Sequence, residues 1–142
     1  MNISMCGIVG YIGNKQALPI LLQGLRDLEY RGYDSAGVAV LDNGKIDRIR
    51  EVGKVDKLTA KIDGKKMNGN VGIAHTRWAT HGGVTEANAH PHIVGQGKLA
   101  LVHNGIIENY RELKKELEKD GVKLESETDS EVLAALIYLI FY

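Results

Sequence analysis

The sequence predicts one compact domain that mixes helices and strands, of the α/β or α+β class. Hydrophobic residues occupy 44% of the 142 positions, which supports a buried core and argues against a disordered chain. Short strand-like runs bounded by glycine alternate with stretches of helical periodicity. No internal repeat or low-complexity linker divides them, so a single folded unit is expected.

The first half of the chain predicts a strand, a helix, a hairpin and a short helix. Residues 8–12 form a β-rich run between glycines, and leucines then recur at helical spacing to about Glu29, with Pro19 in the first turn. The segments AGVAVL and KIDRIREV flank Asn43-Gly44, a strong hairpin signal, although the second strand alternates imperfectly and leaves its register open. The short helix follows from Val55, Leu58 and Ile62.

The second half predicts three more strands and two more helices. The strands are NVGIAHT, GKLALVHNG and VKLES. An apolar stripe of Ile107, Tyr110, Leu113 and Leu117 predicts a helix that Gly121 can end. A capping-box pattern at Thr128 and Glu131 starts the last helix. Its apolar tail VLAALIYLIFY is too short to span a bilayer and predicts a buried helix.

Charge and cysteine content exclude several classes of function. Lys plus Arg equals Asp plus Glu at 18 each, which argues against nucleic acid or a membrane surface as the main partner. One cysteine cannot form an internal disulfide, which fits a reducing compartment. The opening segment MNISMCGIVGYIG has no signal-peptide pattern.

Cys6 is the strongest candidate nucleophile. A cysteine reacts as its thiolate and needs a base nearby, and a free α-amine with a pKa of roughly 7.7–8 can serve at neutral pH. If Met5 initiated translation and were removed, Cys6 would carry such an amine. The alternative is that Cys6 is a small buried hydrophobic residue in a strand.

Three further parts of the chain suggest a binding pocket for an amino acid. Asn104 and Gly105 offer two donors for an oxyanion, or form an ordinary strand-ending turn. Arg77 can bind a carboxylate in the long, aperiodic segment that also holds Trp78, Thr80 and His81, or it is a solvated arginine beside a core tryptophan. Asp129 can bind an ammonium group, or it complements a helix dipole. Together they suit an α-amino acid with an acyl-type side chain.

The five histidines invite a metal hypothesis, which the sequence does not favour. Their spacing matches no familiar zinc pattern and no second cysteine joins them, so no metal site is expected. A papain-like Cys–His pair is conceivable, but no local signature supports it.

Six segments in order resemble the glutaminase domain of the glucosamine-6-phosphate synthase family, the isomerising glutamine–fructose-6-phosphate aminotransferases. They are CGIVGYIG, LEYRGYDSAG, GIAHTRWATHG, NAHPH, HNGIIENY and SETDSE. The resemblance runs from Cys6 to about Glu131. It implies a four-layer α/β/β/α sandwich of the N-terminal-nucleophile type with antiparallel sheets, and hydrolysis of L-glutamine to glutamate and ammonia without a cofactor.

The resemblance also implies roles for individual residues. Cys6 would be the nucleophile with its own α-amine as base, and Asn104 and Gly105 the oxyanion donors. Arg77 would hold the glutamine carboxylate and Asp129 its amino group. Further residues would line, close or support the pocket: Thr80, His81, Trp78 and Arg31. In the full-length enzyme, a homodimer in the cytoplasm, an isomerase domain that binds fructose 6-phosphate would use the ammonia to make glucosamine 6-phosphate.

The chain departs from this family at both ends. Residues 1–5 form an extra leader before Cys6; a start at Met5, trimming, or an inactive chain would each explain it, and a start at Met5 restores the pattern. Residues 6–142 match only the N-terminal part of the amidotransferase domain, and the isomerase domain is absent. The sheets are therefore expected to be incomplete. Alternative functions are an inactive fragment or pseudoenzyme that at most binds glutamine, and a related amidotransferase with another acceptor.

Overall fold

The computed structural model describes residues 5–80 and 82–142. Along that part of the chain the elements are β1 Gly7–Ile12, α1 Ala17–Asp27, β2 Ser35–Asp42, β3 Lys45–Val52, α2 Val55–Ile62, β4 Val71–Arg77, β5 His92–Val94, β6 Leu99–Leu101, α3 Tyr110–Lys119 and α4 Asp129–Phe141. A 3-10 turn over Glu29–Arg31 follows α1. None of the helices in the described ranges is both long and apolar enough to cross a membrane.

The large sheet is antiparallel, with strand order β1-β4-β2-β3. Asn43 and Gly44 join β2 to β3 with φ angles of 49° and 79°, the two positive values that a type I′ hairpin turn requires. The predicted hairpin is therefore confirmed. Pairing of Asp42 with Lys45 settles the register that the imperfect alternation of β3 left open.

The elements stack in the predicted four-layer order. Helices α1 and α2 cover one face of the large sheet and bury a core cluster with it: Leu21, Leu25, Val38, Val40, Val55, Leu58 and Ala74. Residues of the opposite parity on the strands, among them Gly37, His75 and Arg77, belong to the other face. The segment that leads into the small sheet lies there, with the carbonyl of His90 directly over Gly37. Helix α4 packs on the small sheet β5–β6, and α3 packs on α4.

The segment after α3 contradicts one predicted strand. Gly121 ends the helix as expected: with φ at 84°, it donates to the carbonyl of Glu118 at 3.1 Å, and Val122 donates to Leu117 at 2.9 Å, the two bonds of a Schellman motif. The predicted strand at residues 122–126 is wrong, because its backbone N–H groups bond to helix ends rather than to a neighbouring strand. Those of Glu125 and Ser126 donate to the carboxylate of Glu131.

Helix α4 begins where the sequence predicts and is buried only in its first half. The Thr128 side chain accepts from the N–H of Glu131 at 3.3 Å, so the N-cap is confirmed. Burial extends through Ala135, but the last four residues, 139–142, are 51–75% exposed. The prediction of a buried helix therefore holds for residues 129–135 and not for the end of the chain.

Candidate active site

Seven of the residues singled out in the sequence line one cavity of about 330 Å³: Cys6, Arg77, Trp78, Thr80, Asn104, Gly105 and Asp129. This volume is at the lower end of the range for small-molecule sites. A larger cavity of about 570 Å³, between the small sheet and α4, holds none of them. His81 lies outside the described residues.

Pairing of β1 with β4 sets the position of the cysteine relative to the arginine. Gly7 pairs with Thr76, so Cys6, just before β1, lies beside Arg77 at the end of β4. Asn104 and Gly105 follow β6, and Asp129 is the first residue of α4. The cavity thus forms where the large sheet, the small sheet and the N-terminus of α4 meet.

The sulfur of Cys6 contacts the backbone of Trp78. The N–H of Trp78 lies 3.2 Å from Sγ and points at it, and the thiol lies 3.6 Å from the carbonyl oxygen of the same residue. Cys6 forms no disulfide and is partly exposed to the cavity. A backbone N–H at this distance can donate to the sulfur, the atom through which a cysteine reacts.

A chain of hydrogen bonds orients the Asn104 amide. Its Nδ2 donates to the carbonyl oxygen of Cys6 at 3.1 Å, and its Oδ1 lies 2.7 Å from Nε2 of His75. Because Oδ1 only accepts, His75 is the donor and carries its proton on Nε2. Burial lowers the pKa of His75 to about 4, so the ring is neutral at pH 7 and has one N–H to give. An amide nitrogen carries two hydrogens, so Asn104 Nδ2 can also donate to a ligand in the cavity.

Two buried side chains of opposite charge line the same cavity. Arg77 is 4% exposed, and its Nη1 donates to the carbonyl of Gly83 at 3.0 Å. Asp129 is 5% exposed, and its Oδ2 accepts from the backbone N–H of Ile107 at 2.8 Å. A zwitterion between them would pair its carboxylate with the arginine and its ammonium with the aspartate.

Three histidines pack against one another, and two of them, His75 and His90, line the cavity. The rings of His75 and His90 stack with centroids 4.1 Å apart, and His92 meets His90 edge-on at 4.6 Å. Burial lowers the pKa of each, to about 3 for His92. Within residues 5–80 and 82–142, no group of three His, Cys, Asp or Glu side chains is arranged to hold a metal ion.

Arg31 lies outside the cavity and next to the residue that precedes Cys6. Its carbonyl oxygen accepts from the N–H of Met5 at 3.4 Å, and its Nη2 lies 3.7 Å from the sulfur of Met5. This position fits support of the segment that carries Cys6, and the role stays a prediction.

The sequence analysis missed two residues that shape the site, Asp34 and Asn88, and considered a third, His75, only as a possible metal ligand. His75 precedes Arg77 by two positions on β4, so strand alternation places both on one face, a signal that was present and not used. Asp34 bonds to the N–H of Ala79, and Asn88 bonds to Glu127, across long sequence separations. No local pattern predicts either contact.

The comparison with protein families matches residues 56–140 to the glutamine amidotransferase domain. Among individual proteins, the chain is 59% identical to the isomerizing glutamine–fructose-6-phosphate aminotransferase of Aquifex aeolicus over 133 residues. It is 54% identical to that of Pyrococcus horikoshii over the same length. Each alignment covers 94% of this chain and 22% of the relative. The chain therefore spans about a fifth of the length of these relatives.

Solved structures agree on the fold. The glutamine phosphoribosylpyrophosphate amidotransferase of B. subtilis, complexed with ADP and GMP, matches with a TM-score of 0.79 and 32% identity over 92% of this chain and 29% of its own. A structure described as the allosteric regulatory enzyme of purine biosynthesis matches with a TM-score of 0.80 and 34% identity, with the same coverage.

Proposed function

Because the chain belongs to the glutamine amidotransferase family, we propose that its 330 Å³ cavity binds L-glutamine and that Cys6 attacks the side-chain amide. One observation carries this proposal: a thiol and two buried side chains of opposite charge, Arg77 and Asp129, line a single cavity. An amino-acid head group can pair with both side chains, and its side-chain carbonyl would then face the sulfur in the same cavity.

The head group and the rest of glutamine have separate partners. Arg77 pairs with the carboxylate and Asp129 with the ammonium group. Thr80 lines the same cavity and can hydrogen-bond to the substrate, and we also assign His81 to substrate binding. Trp78, which is 44% exposed at the cavity, covers the bound substrate.

The reaction proceeds through a thioester. The α-amine of Cys6 takes the thiol proton as the sulfur forms a bond to the carboxamide carbon, and the oxyanion that develops accepts hydrogen bonds from Asn104 Nδ2 and the N–H of Gly105. The carbon–nitrogen bond then breaks, and ammonia leaves with a proton delivered by the α-ammonium group of Cys6. Water attacks the thioester carbon, which releases glutamate and restores the thiol.

The base requires that Cys6 be the first residue of the mature protein. With Met5 attached, the nitrogen of Cys6 is a peptide amide and cannot take a proton. A start at Met5 followed by its removal frees an amine with a pKa of roughly 7.7–8.0 in the absence of perturbation. We therefore propose that the active form begins at Cys6.

In the complete protein we propose that the ammonia is used by an isomerase domain. That domain would bind fructose 6-phosphate and yield glucosamine 6-phosphate, in a cytoplasmic homodimer. Identities of 53–59% to isomerizing glutamine–fructose-6-phosphate aminotransferases support this acceptor. The 32% identity to a glutamine phosphoribosylpyrophosphate amidotransferase supports the alternative acceptor less well.

The test compares the chain that begins at Met1 with a shorter version that begins at Met5. Each version is made once with Cys6 and once with the substitution Cys6→Ala. Intact mass identifies the first residue, and two assays follow: release of glutamate and ammonia from glutamine, and labelling by the diazoketone analogue of glutamine. We expect labelling at Cys6 only where Cys6 is first. Full activity of a protein that retains Met1 would overturn the role of the amine, and unchanged ammonia release by Cys6→Ala would overturn the mechanism. Glutamine binding without labelling would identify a pseudoenzyme.

A further inference from the structure

Asn88 is a buried amide whose hydrogen-bonding groups all have partners. It is 1% exposed and is not among the residues that line the cavity. Its Nδ2 donates to the carbonyl of Gly83 at 3.0 Å and to Oε2 of Glu127 at 2.9 Å, while its Oδ1 accepts from the N–H of Glu127, also at 2.9 Å. The two bonds to Glu127 form a closed pair between one amide and one residue.

The same amide connects the two charged ends of the cavity. The carbonyl of Gly83, to which Asn88 donates, also accepts from the guanidinium of Arg77 at 3.0 Å. Glu127 lies two positions before Asp129 and directly before Thr128, the N-cap of α4. Asn88 therefore joins the loop that holds Arg77 to the segment that presents Asp129, two parts of the chain that are 52 positions apart.

We propose that Asn88 is a positioning residue that fixes the separation of Arg77 and Asp129, and thereby selects a ligand with both a carboxylate and an ammonium group. This inference rests on the proposed function, because it assigns the head group of glutamine to those two side chains. Asn88 does not line the cavity, so it acts through its neighbours.

Loss of the amide is expected to weaken binding of the head group without changing the thiol. Removal of the side chain leaves the N–H of Glu127 without its acceptor and takes away one donor to the carbonyl of Gly83, so that among the described residues only the N–H of Gly83 still bonds this loop to Glu127. The contacts of the Cys6 sulfur are with Trp78, and the carbonyl of Cys6 is bonded to Asn104. Neither contact involves Asn88 or Glu127.

Glu127 offers a second, milder probe because it is exposed. Its carboxylate accepts from Asn88 and from the N–H of Gly83 at 3.1 Å, and these hydrogen bonds hold its pKa below the usual range. Glu127→Ala removes both bonds while its own backbone N–H still donates to Asn88. Glu127→Gln keeps an oxygen that can accept them and serves as the matched control.

The experiment uses the chain started at Met5, as wild type and as Asn88→Ala, Glu127→Ala and Glu127→Gln. Two reagents label Cys6: the diazoketone analogue of glutamine, which needs the head-group site, and iodoacetamide, which needs only the thiol. For Asn88→Ala we expect the half-saturating concentration of the analogue to rise about tenfold, with little change in the maximal rate or in iodoacetamide labelling. For Glu127→Ala this half-saturating concentration should rise by a smaller factor, and for Glu127→Gln it should match that of wild type.

Three outcomes would overturn the inference. One is an unchanged half-saturating concentration in both alanine variants. Another is an equal loss of labelling by both reagents, which would indicate general disruption of the fold. If Asn88→Ala does not fold, the half-saturating concentration measured for Glu127→Ala tests the inference by itself. Wild-type protein that reacts with iodoacetamide but never with the analogue would instead overturn the proposed function, and this inference with it.

Discussion

Asp34 and Ala79 are joined by a hydrogen bond of 2.6 Å, from the backbone N–H of Ala79 to Oδ2 of the aspartate. The N–H of Asp34 itself donates to the carbonyl of Arg77 at 2.8 Å. The two bonds bracket Trp78, whose own N–H points at the sulfur of Cys6 from 3.2 Å. Asp34 therefore fixes the backbone group that faces the nucleophile, although it does not line the cavity.

Asp34→Ala should slow alkylation of Cys6 several-fold at pH 7, because the N–H of Trp78 loses its fixed direction toward the sulfur and the thiolate loses a donor. Asp34→Asn keeps an oxygen acceptor for Ala79 and should stay close to wild type. The measurement is the rate of iodoacetamide labelling, with circular dichroism to establish that each variant is folded. Equal rates in folded wild type and Asp34→Ala would contradict this role.

His75 should affect turnover more than binding. His75→Ala leaves Oδ1 of Asn104 without its donor, so the amide is free to turn its oxygen toward the developing oxyanion. Loss of an oxyanion donor costs roughly 100- to 1,000-fold in kcat, and a misoriented one should cost about tenfold or more, with little change in KM. His75→Gln restores an N–H donor and should recover part of the loss. Steady-state glutaminase kinetics on the protein that begins at Cys6 test this, and a change confined to KM would contradict it.

The buried histidines predict a loss of stability in acid. Their pKa values in the folded protein, about 4 for His75 and about 3 for His92, lie below the unfolded value near 6.5. The unfolded chain therefore binds more protons in this window. The stabilisation is complete above pH 6.5 and falls as the pH drops toward 4 and then 3, by roughly 3 kcal/mol for His75 alone. Urea unfolding measured at several pH values checks the slope.

A single substitution separates the contribution of the histidines to the loss of stability in acid from the contribution of the carboxylates. His92→Gln keeps an N–H that can reach Thr128 Oγ1, which lies 2.9 Å from Nε2 of the native ring, and removes one group that must charge on unfolding. Its loss of stability between pH 6 and pH 4 should be shallower than that of wild type. A slope identical to wild type would mean that other groups carry the acid transition.

Local patterns predicted the elements and cavity residues that depend on neighbours in sequence. The hairpin at Asn43-Gly44, the helix stop at Gly121 and the N-cap at Thr128 each follow from a few adjacent residues, and all are present. The segment at 122–126 has strand-like composition, but the carboxylate of Glu131 takes two of its N–H groups, a tertiary contact that composition does not encode.

The supporting residues were harder to predict because their partners are distant along the chain. Asp34 acts on Ala79 and Asn88 on Glu127, and neither residue type is unusual in the loop where it occurs. His75 is different, because it lies two positions before Arg77 on the same strand and strand alternation therefore predicts that both face the cavity. The chemistry of the site is therefore visible in the sequence, whereas the parts that hold it in place become visible only in the fold.

Gly37 should tolerate no side chain, because it is the point of closest approach between the large sheet and the segment carrying His90. A β-carbon at Gly37 would lie 2.0 Å from the carbonyl oxygen of His90, a backbone atom that cannot rotate away. Gly37→Ala should therefore cost about 2–3 kcal/mol in free energy of unfolding and push the His90 segment away from the sheet. Gly10 in β1 of the same sheet is the matched control: a β-carbon there meets nothing within 4 Å, so Gly10→Ala should be neutral or slightly stabilising. Denaturant unfolding of the two variants gives the comparison, and equal stability would contradict close packing of residue 90 on this strand.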